Sequence, residues 1–169
     1  MERIRVVLID DQAIVRQGVR MILDRDEQIT VVGDAPTGDQ GLTLATAFHP
    51  HVVITEMRLP GMDGTEVTRR LKRQHPGIEV MVLSSLGREY LDRAIEAGAS
   101  GYLLKTATEE ELINAVKAVH QGQSPIDPAL SRHLLNSFAS SAQVRRSPDL
   151  SSREREILYL IASGTTTKE

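Results

Sequence analysis

Short apolar runs recur along the chain at near-even spacing, at residues 4–9, 29–32, 52–54, 78–83 and 101–104. Their length and their Val/Ile content suit strands buried on both faces. Between them the apolar positions switch to a helical period. Ile14, Val15, Val19, Ile22 and Leu23 form one stripe, and Leu42, Ala45 and Phe48 a second. Val67 with Leu71, Leu91 with Ile95, and Leu112, Ile113, Val116 and Val119 supply three more. Strand and helix therefore alternate five times, which predicts an α/β domain with a parallel sheet covered by helices on both faces. Right-handed crossovers leave few topologies, and the flavodoxin-like (βα)5 arrangement, strand order 2-1-3-4-5, is the expected one.

The texture changes near Gly122. Gly122, Ser124, Pro125, Pro128, Ser140-Ser141 and Ser147-Pro148 read as linker. Within it Asp127-Pro128 has the chemistry of a helix start, and Leu130, Leu134, Leu135 and Phe138 give that short helix a modest apolar face. Further on, Ser151 with Glu154 forms a capping-box pattern, Ile157, Leu160 and Ile161 share a face, and Gly164 marks a stop. Thr166 with Glu169 begins a second such pattern. The domains expected are a sheet domain over 1–122, a linker with a short helix over 123–149, and a partial all-α tail over 150–169.

Composition narrows the function. Hydrophobic residues make up 40% of the 169 but aromatics only 3%, so the core must be aliphatic. Without cysteine there are no disulfides, thiolate nucleophiles or cysteine zinc sites. No apolar run approaches the ~20 residues of a membrane span, and no signal peptide precedes the first strand, so a soluble cytoplasmic protein is expected. Residues 1–122 carry 18 acids and 14 bases, and 123–169 carry 5 acids and 6 bases. Neither part has the strongly basic face that sequence-independent nucleic-acid binding uses. The histidines at 49, 51, 75, 120 and 133 show no metal-ligand spacing.

The chemistry gathers at strand ends. In an open parallel sheet ligands bind beyond the carboxyl ends, where strand order reverses. The first strand ends in Asp10-Asp11, the third in Glu56 and the fourth in Ser84-Ser85, while the fifth runs into Lys105. Three carboxylates are thus expected to converge, with a hydroxyl and an ammonium on adjacent strands. Their mutual repulsion calls for a divalent cation, and oxygen-only ligands with open positions favour Mg²⁺. Such a pocket is a place to accept and hold a phosphoryl group.

Four pieces, "VVLIDDQAIVRQGV", "TEMRLPGMDG", "VLSS" and "GYLLKT", in this order and at this spacing resemble the receiver domain of bacterial two-component response regulators. "LSSREREILYLIASGTTTKE" resembles the start of a LuxR-type helix-turn-helix, so the pair is similar to the NarL/FixJ class. The resemblance implies that Asp10 and Asp11 hold Mg²⁺, together with Glu56 and the backbone carbonyl of Arg58. It puts Glu56 where the family carries its phosphoacceptor aspartate. Ser84 becomes the hydroxyl that follows the phosphoryl group, Lys105 its lysine partner, and Tyr102 the aromatic that turns inward on activation. The implied function is a phosphorelay switch controlling transcription, not an enzyme, with a sensor histidine kinase and a receiver homodimer as partners. DNA binding is expected of a longer protein but not of this chain, because the resemblance stops short of the recognition helix.

Two other functions compete. A phosphohydrolase of the haloacid-dehalogenase kind wants acids two residues apart after the first strand, whereas Asp10 and Asp11 are adjacent. A phosphorylation-independent interaction module would follow if Glu56 had only inactivated the pocket. Against that, glutamate extends its carboxylate by about one C–C bond, ~1.5 Å, so it can imitate phosphoaspartate in part. Asp11 as a helix cap, Ser84 as a strand-end hydroxyl, Lys105 as a solvated side chain and Tyr102 as a core aromatic are the plain alternatives at each position.

Overall fold

The computed structural model describes the backbone of residues 2–145 and side chains as far as 136. The tail expected to start a helix-turn-helix, with its capping patterns at Ser151 and Thr166, lies outside the described residues. Five strands, β1 (Ile4–Ile9), β2 (Ile29–Ala35), β3 (Val52–Thr55), β4 (Glu79–Ser84) and β5 (Gly101–Leu104), form one parallel sheet in the order β2-β1-β3-β4-β5. The expected flavodoxin-like topology is the one found.

Alternation along β1 divides the core in two. Val6 and Leu8 point to the side covered by α1 (Ala13–Leu23) and α5 (Glu109–His120), where they join Val19, Leu23, Ile54, Leu83, Leu112 and Val116. Val7 and Ile9 point to the side of α2 (Gly38–Phe48) and α3 (Gly64–Gln74), against Ala45, Val53, Val67, Leu71 and Val80. Helix α4 (Arg88–Glu96) follows β4, with Leu91 and Ala94 both fully buried. The core is aliphatic, as composition requires, and Tyr102 is the one aromatic buried in it among the described residues.

Local chemistry sets the helix starts. Thr37 and Asp63 cap α2 and α3 by accepting the Gln40 and Glu66 amides, and Thr108 with Glu111 closes a full capping box on α5. Helix α1 differs, because its N-cap is Gln12, which makes no side-chain cap. The reading of Asp11 as that cap is therefore not what the structure shows.

A sixth helix, α6, runs Pro128–Arg145, starting where Asp127-Pro128 predicts and continuing through 18 residues. The chain does not leave the sheet domain at Gly122. Residues as far as Ser131 belong to the first compact unit, and Tyr102 forms an isolated bridge to Ile126.

Candidate functional site

The parallel ladder carries the polar residues to the strand ends, Ser84 as the last residue of β4 and Asp10, Glu56 and Lys105 one step past β1, β3 and β5. Glu56 N–H donates to Ile9 O at 2.8 Å, and Lys105 N–H to Ser84 O at 2.9 Å. That pairing brings Asp10, Glu56, Ser84 and Lys105 together at the carboxyl end of the sheet. Asp10 and Glu56 are each 5% exposed and Ser84 is fully buried. Two buried acids therefore face each other across the β1–β3 junction, and something must offset their charge.

Lys105 does so. Its Nζ lies 2.6 Å from Asp10 Oδ2 and 2.8 Å from Glu56 Oε2. Burial works to lower the lysine pKa, but the two carboxylates outweigh it and hold the ammonium above its ordinary range. The other oxygens are also occupied. Asp10 Oδ1 accepts the Gln12 amide at 2.8 Å. Glu56 Oε1 accepts the amides of Met57 at 2.5 Å and Arg58 at 3.3 Å, and the Ser84 hydroxyl donates to the same oxygen in a very short bond. Three donors thus converge on one carboxylate oxygen while an ammonium holds the other, an arrangement suited to a terminal oxyanion.

The hydroxyl also acts locally. Ser84 Oγ accepts the Leu86 amide at 3.2 Å, which ties the β4–α4 loop to the pocket. Leu86 in turn accepts the Tyr102 O–H at 2.6 Å, with the tyrosine ring 1% exposed. Burial pushes the Tyr102 phenol up to about 12. Both plain alternatives are present here, a strand-end hydroxyl on its own backbone and a core aromatic, yet both are joined to Glu56 by continuous hydrogen bonds.

Asp11 differs from Asp10 and Glu56 in its exposure. It is exposed, and it lines a cleft of about 250 Å³ with Gln12, Glu56, Arg58, Ser85 and Leu86. Among the described residues no group of three or more acid or histidine side chains is arranged to enclose a metal. The donors are nonetheless all oxygen, and Mg²⁺ commonly keeps most of its waters and uses one or two carboxylates. An open, water-rich site at this cleft fits that habit, and a closed cage does not.

Arg58 carries a feature that sequence reading missed. Its guanidinium donates to Tyr90 Oη at 3.3 Å, and Arg58 and Arg93 each lie 5.7 Å from the Tyr90 ring centre. An arginine two places after the key acid and a tyrosine on α4 give no periodic signal of their contact.

A sheet of this order, with acids, hydroxyl and lysine at its switch point, defines a receiver-type phosphoryl-signalling domain. Residues 6–117 match the response regulator receiver domain family, and the chain belongs to it. It is 36% identical over 168 residues to the transcriptional regulatory protein LiaR of Bacillus subtilis, covering 98% of this chain and 80% of that protein. It is 36% identical over 162 residues to the response regulator GacA of Pseudomonas aeruginosa, covering 95% and 76% respectively. Among solved structures, the signal receiver domain of the putative response regulator NarL from Mycobacterium tuberculosis matches with a TM-score of 0.71 and 33% identity. That match covers 73% of this chain and all of the other.

Proposed function

We propose that this chain is the switch of a phosphorelay-controlled transcription regulator in which Glu56 partly and permanently imitates a phosphorylated aspartate. The observation that carries the reading is the double reach of one side chain: Glu56 meets Ser84 and two backbone amides with one oxygen and Lys105 with the other. A phosphoryl group brings about −1.5 to −2 charges and three acceptor oxygens, and glutamate supplies one charge and two. The imitation is therefore incomplete, and the outcome is a shifted population, since full reversal of a mostly inactive switch needs several kcal/mol of differential interaction.

Asp10, Asp11 and the Arg58 carbonyl would hold Mg²⁺ at the cleft, with Glu56 beside them, and the ion would supply counter-charge to the acids. In this pocket Lys105 already supplies part of that charge, so glutamate weakens the call for metal. The partners that follow are a sensor histidine kinase acting on the aspartate form, a second receiver in a homodimer, and DNA through an output domain in a longer protein, in the cytoplasm. Among the described residues no helix is long and apolar enough to cross a membrane.

The test compares this chain with Glu56→Asp, each with and without acetyl phosphate and Mg²⁺. The aspartate form should take up phosphate and respond in its dimer fraction. The glutamate form should not respond, yet should already lie part-way toward the phosphorylated state. A glutamate form that matches unphosphorylated aspartate in every readout would leave the phosphorylation-independent interaction module as the better description.

A further inference from the structure

Tyr102 is held from two directions. Its side-chain O–H reaches Leu86 O in the β4–α4 loop. Its backbone faces the other way, toward the free edge of β5, where the segment after α5 returns. There Tyr102 N–H donates to Pro125 O at 3.0 Å, and Asp127 N–H donates to Tyr102 O at 2.8 Å. Residues 125–127 thus lie along the edge of β5 through an isolated parallel bridge, and one residue joins them to the pocket's loop.

Asp127 fastens this segment to the sheet and to α6 together. It is 8% exposed. Oδ2 accepts the Leu104 amide at 3.1 Å, immediately before Lys105. Oδ1 accepts the Ala129 amide at 3.0 Å, and the Asp127 carbonyl accepts the Leu130 and Ser131 amides at 2.9 and 3.1 Å. The carboxylate therefore bonds β5 with one oxygen and starts α6 with the other. Leu130, 4% exposed, sits against Gly87, the N-cap of α4, its methyl 3.8 Å from where a β-carbon would stand. A β-carbon on Gly101 would stand 3.2 Å from Pro125 Cγ and Pro125 O, so the glycine leaves the room this segment occupies.

We propose that residues 125–131 are a relay, with Asp127 as its positioning residue, that passes the state of the Glu56 pocket to α6. The proposal rests on the reading of Glu56 given above. Glu56 draws on Ser84, whose hydroxyl holds Leu86, and on Lys105, the neighbour of Leu104. Leu86 and Leu104 are the two places from which the relay hangs, through Tyr102 and through Asp127. A movement of the β4–α4 loop would therefore change the support of the first turn of α6.

Residue-resolved amide hydrogen exchange on the intact chain tests this. Glu56→Ala removes the carboxylate from Ser84 and Lys105, and exchange should speed up at Leu86 and, by at least about threefold, at Asp127 and Leu130. A change at Leu86 without one at Asp127 and Leu130 overturns the relay and leaves the pocket reading intact. No change at any of them overturns both. Tyr102→Phe keeps the backbone pairing but cuts the bond to Leu86. In that background Glu56→Ala should still loosen Leu86 while its effect at Leu130 falls by more than about half. An undiminished effect at Leu130 refutes the relay, and a merely structural Asp127 segment would show no dependence on residue 56 at all.

Discussion

Lys105 Nζ lies 2.8 Å from Glu56 Oε2, and the same ammonium bonds Asp10 Oδ2. One cation therefore offsets part of the charge of two acids that are each almost wholly out of solvent. Removing one partner of a buried ion pair leaves an uncompensated charge. Lys105→Met should cost about 2–4 kcal/mol at pH 7, somewhat below a fully buried case because the lysine is 14% exposed. The same substitution in a Glu56→Gln background should cost less, since one of the two charges has gone. Mg²⁺ should restore more stability to Lys105→Met than it adds to the parent chain. Urea melts of the four forms with and without Mg²⁺ check all three statements, and an equal Mg²⁺ effect in every form would contradict the role given to the lysine.

The alkaline limb of stability follows from Tyr102 and Lys105. Burial lifts the Tyr102 phenol to about 12, and the two carboxylates lift Lys105 against its own burial. In both cases the folded chain holds its proton after the unfolded chain has lost it. Stability is therefore fully present below about pH 10 and falls as pH rises from there through the folded values. Absorbance titration should show one of the three tyrosines ionising near 12. Tyr102→Phe should remove that step and make the alkaline loss less steep.

Much of this was written legibly in the chain. Runs such as 4–9 and 101–104 announce strands because a strand buried on both faces can hold little but aliphatic residues, and β1 and β5 have those bounds. The convergence of Asp10, Glu56, Ser84 and Lys105 was legible too, because strand order alone fixes which strand ends are neighbours. Less could be read of what each side chain does. Asp11 adjoins Asp10, yet successive residues at a strand end point different ways, and Asp10 is buried while Asp11 is exposed at the cleft. Asp127 reads as a helix start, which it is, but its second oxygen serves β5, and three residues beside an edge carry no period to announce it.

Gly64 is another position whose need comes from packing. It opens α3 after the cap Asp63, where most small residues would serve. A β-carbon there would stand within overlap distance of the Glu56 carbonyl oxygen and 2.9 Å from Met57 Cα, both backbone atoms that cannot swing away. Gly64→Ala should destabilise the chain by about 1–3 kcal/mol, the usual cost of overpacking. It should also displace the Met57 and Arg58 amides that hold Glu56, so the Glu56→Asp variant carrying it should take up phosphate from acetyl phosphate more slowly. Gly18→Ala, with nothing within 4 Å of its β-carbon, is the matched control at a half-buried position of α1 and should be neutral or slightly stabilising.

At the opposite end of the sheet His51 sets an acid limit. Its Nδ1 accepts the Arg5 amide at 3.0 Å, so the ring is neutral at that nitrogen as β1 begins. Its Nε2 stands 3.8 Å from Glu2, and the His120 ring lies 5.0 Å away, centre to centre. Burial is the main cause lowering its pKa from the ordinary 6.5, with Arg5 and His120 adding to it and Glu2 opposing. The folded ring therefore binds a proton less readily than the unfolded one. As pH falls through 6.5 the unfolded chain gains protons first, and stability declines until the folded ring is protonated in turn. Protonation at Nδ1 would also break the bond from Arg5. His51→Gln offers an amide oxygen that can accept the same N–H without titrating, so it should flatten the decline between pH 7 and 5 while leaving pH 7.5 stability close to the parent's. Urea midpoints across that range decide the matter. An unaltered slope in His51→Gln would assign the acid loss to other groups.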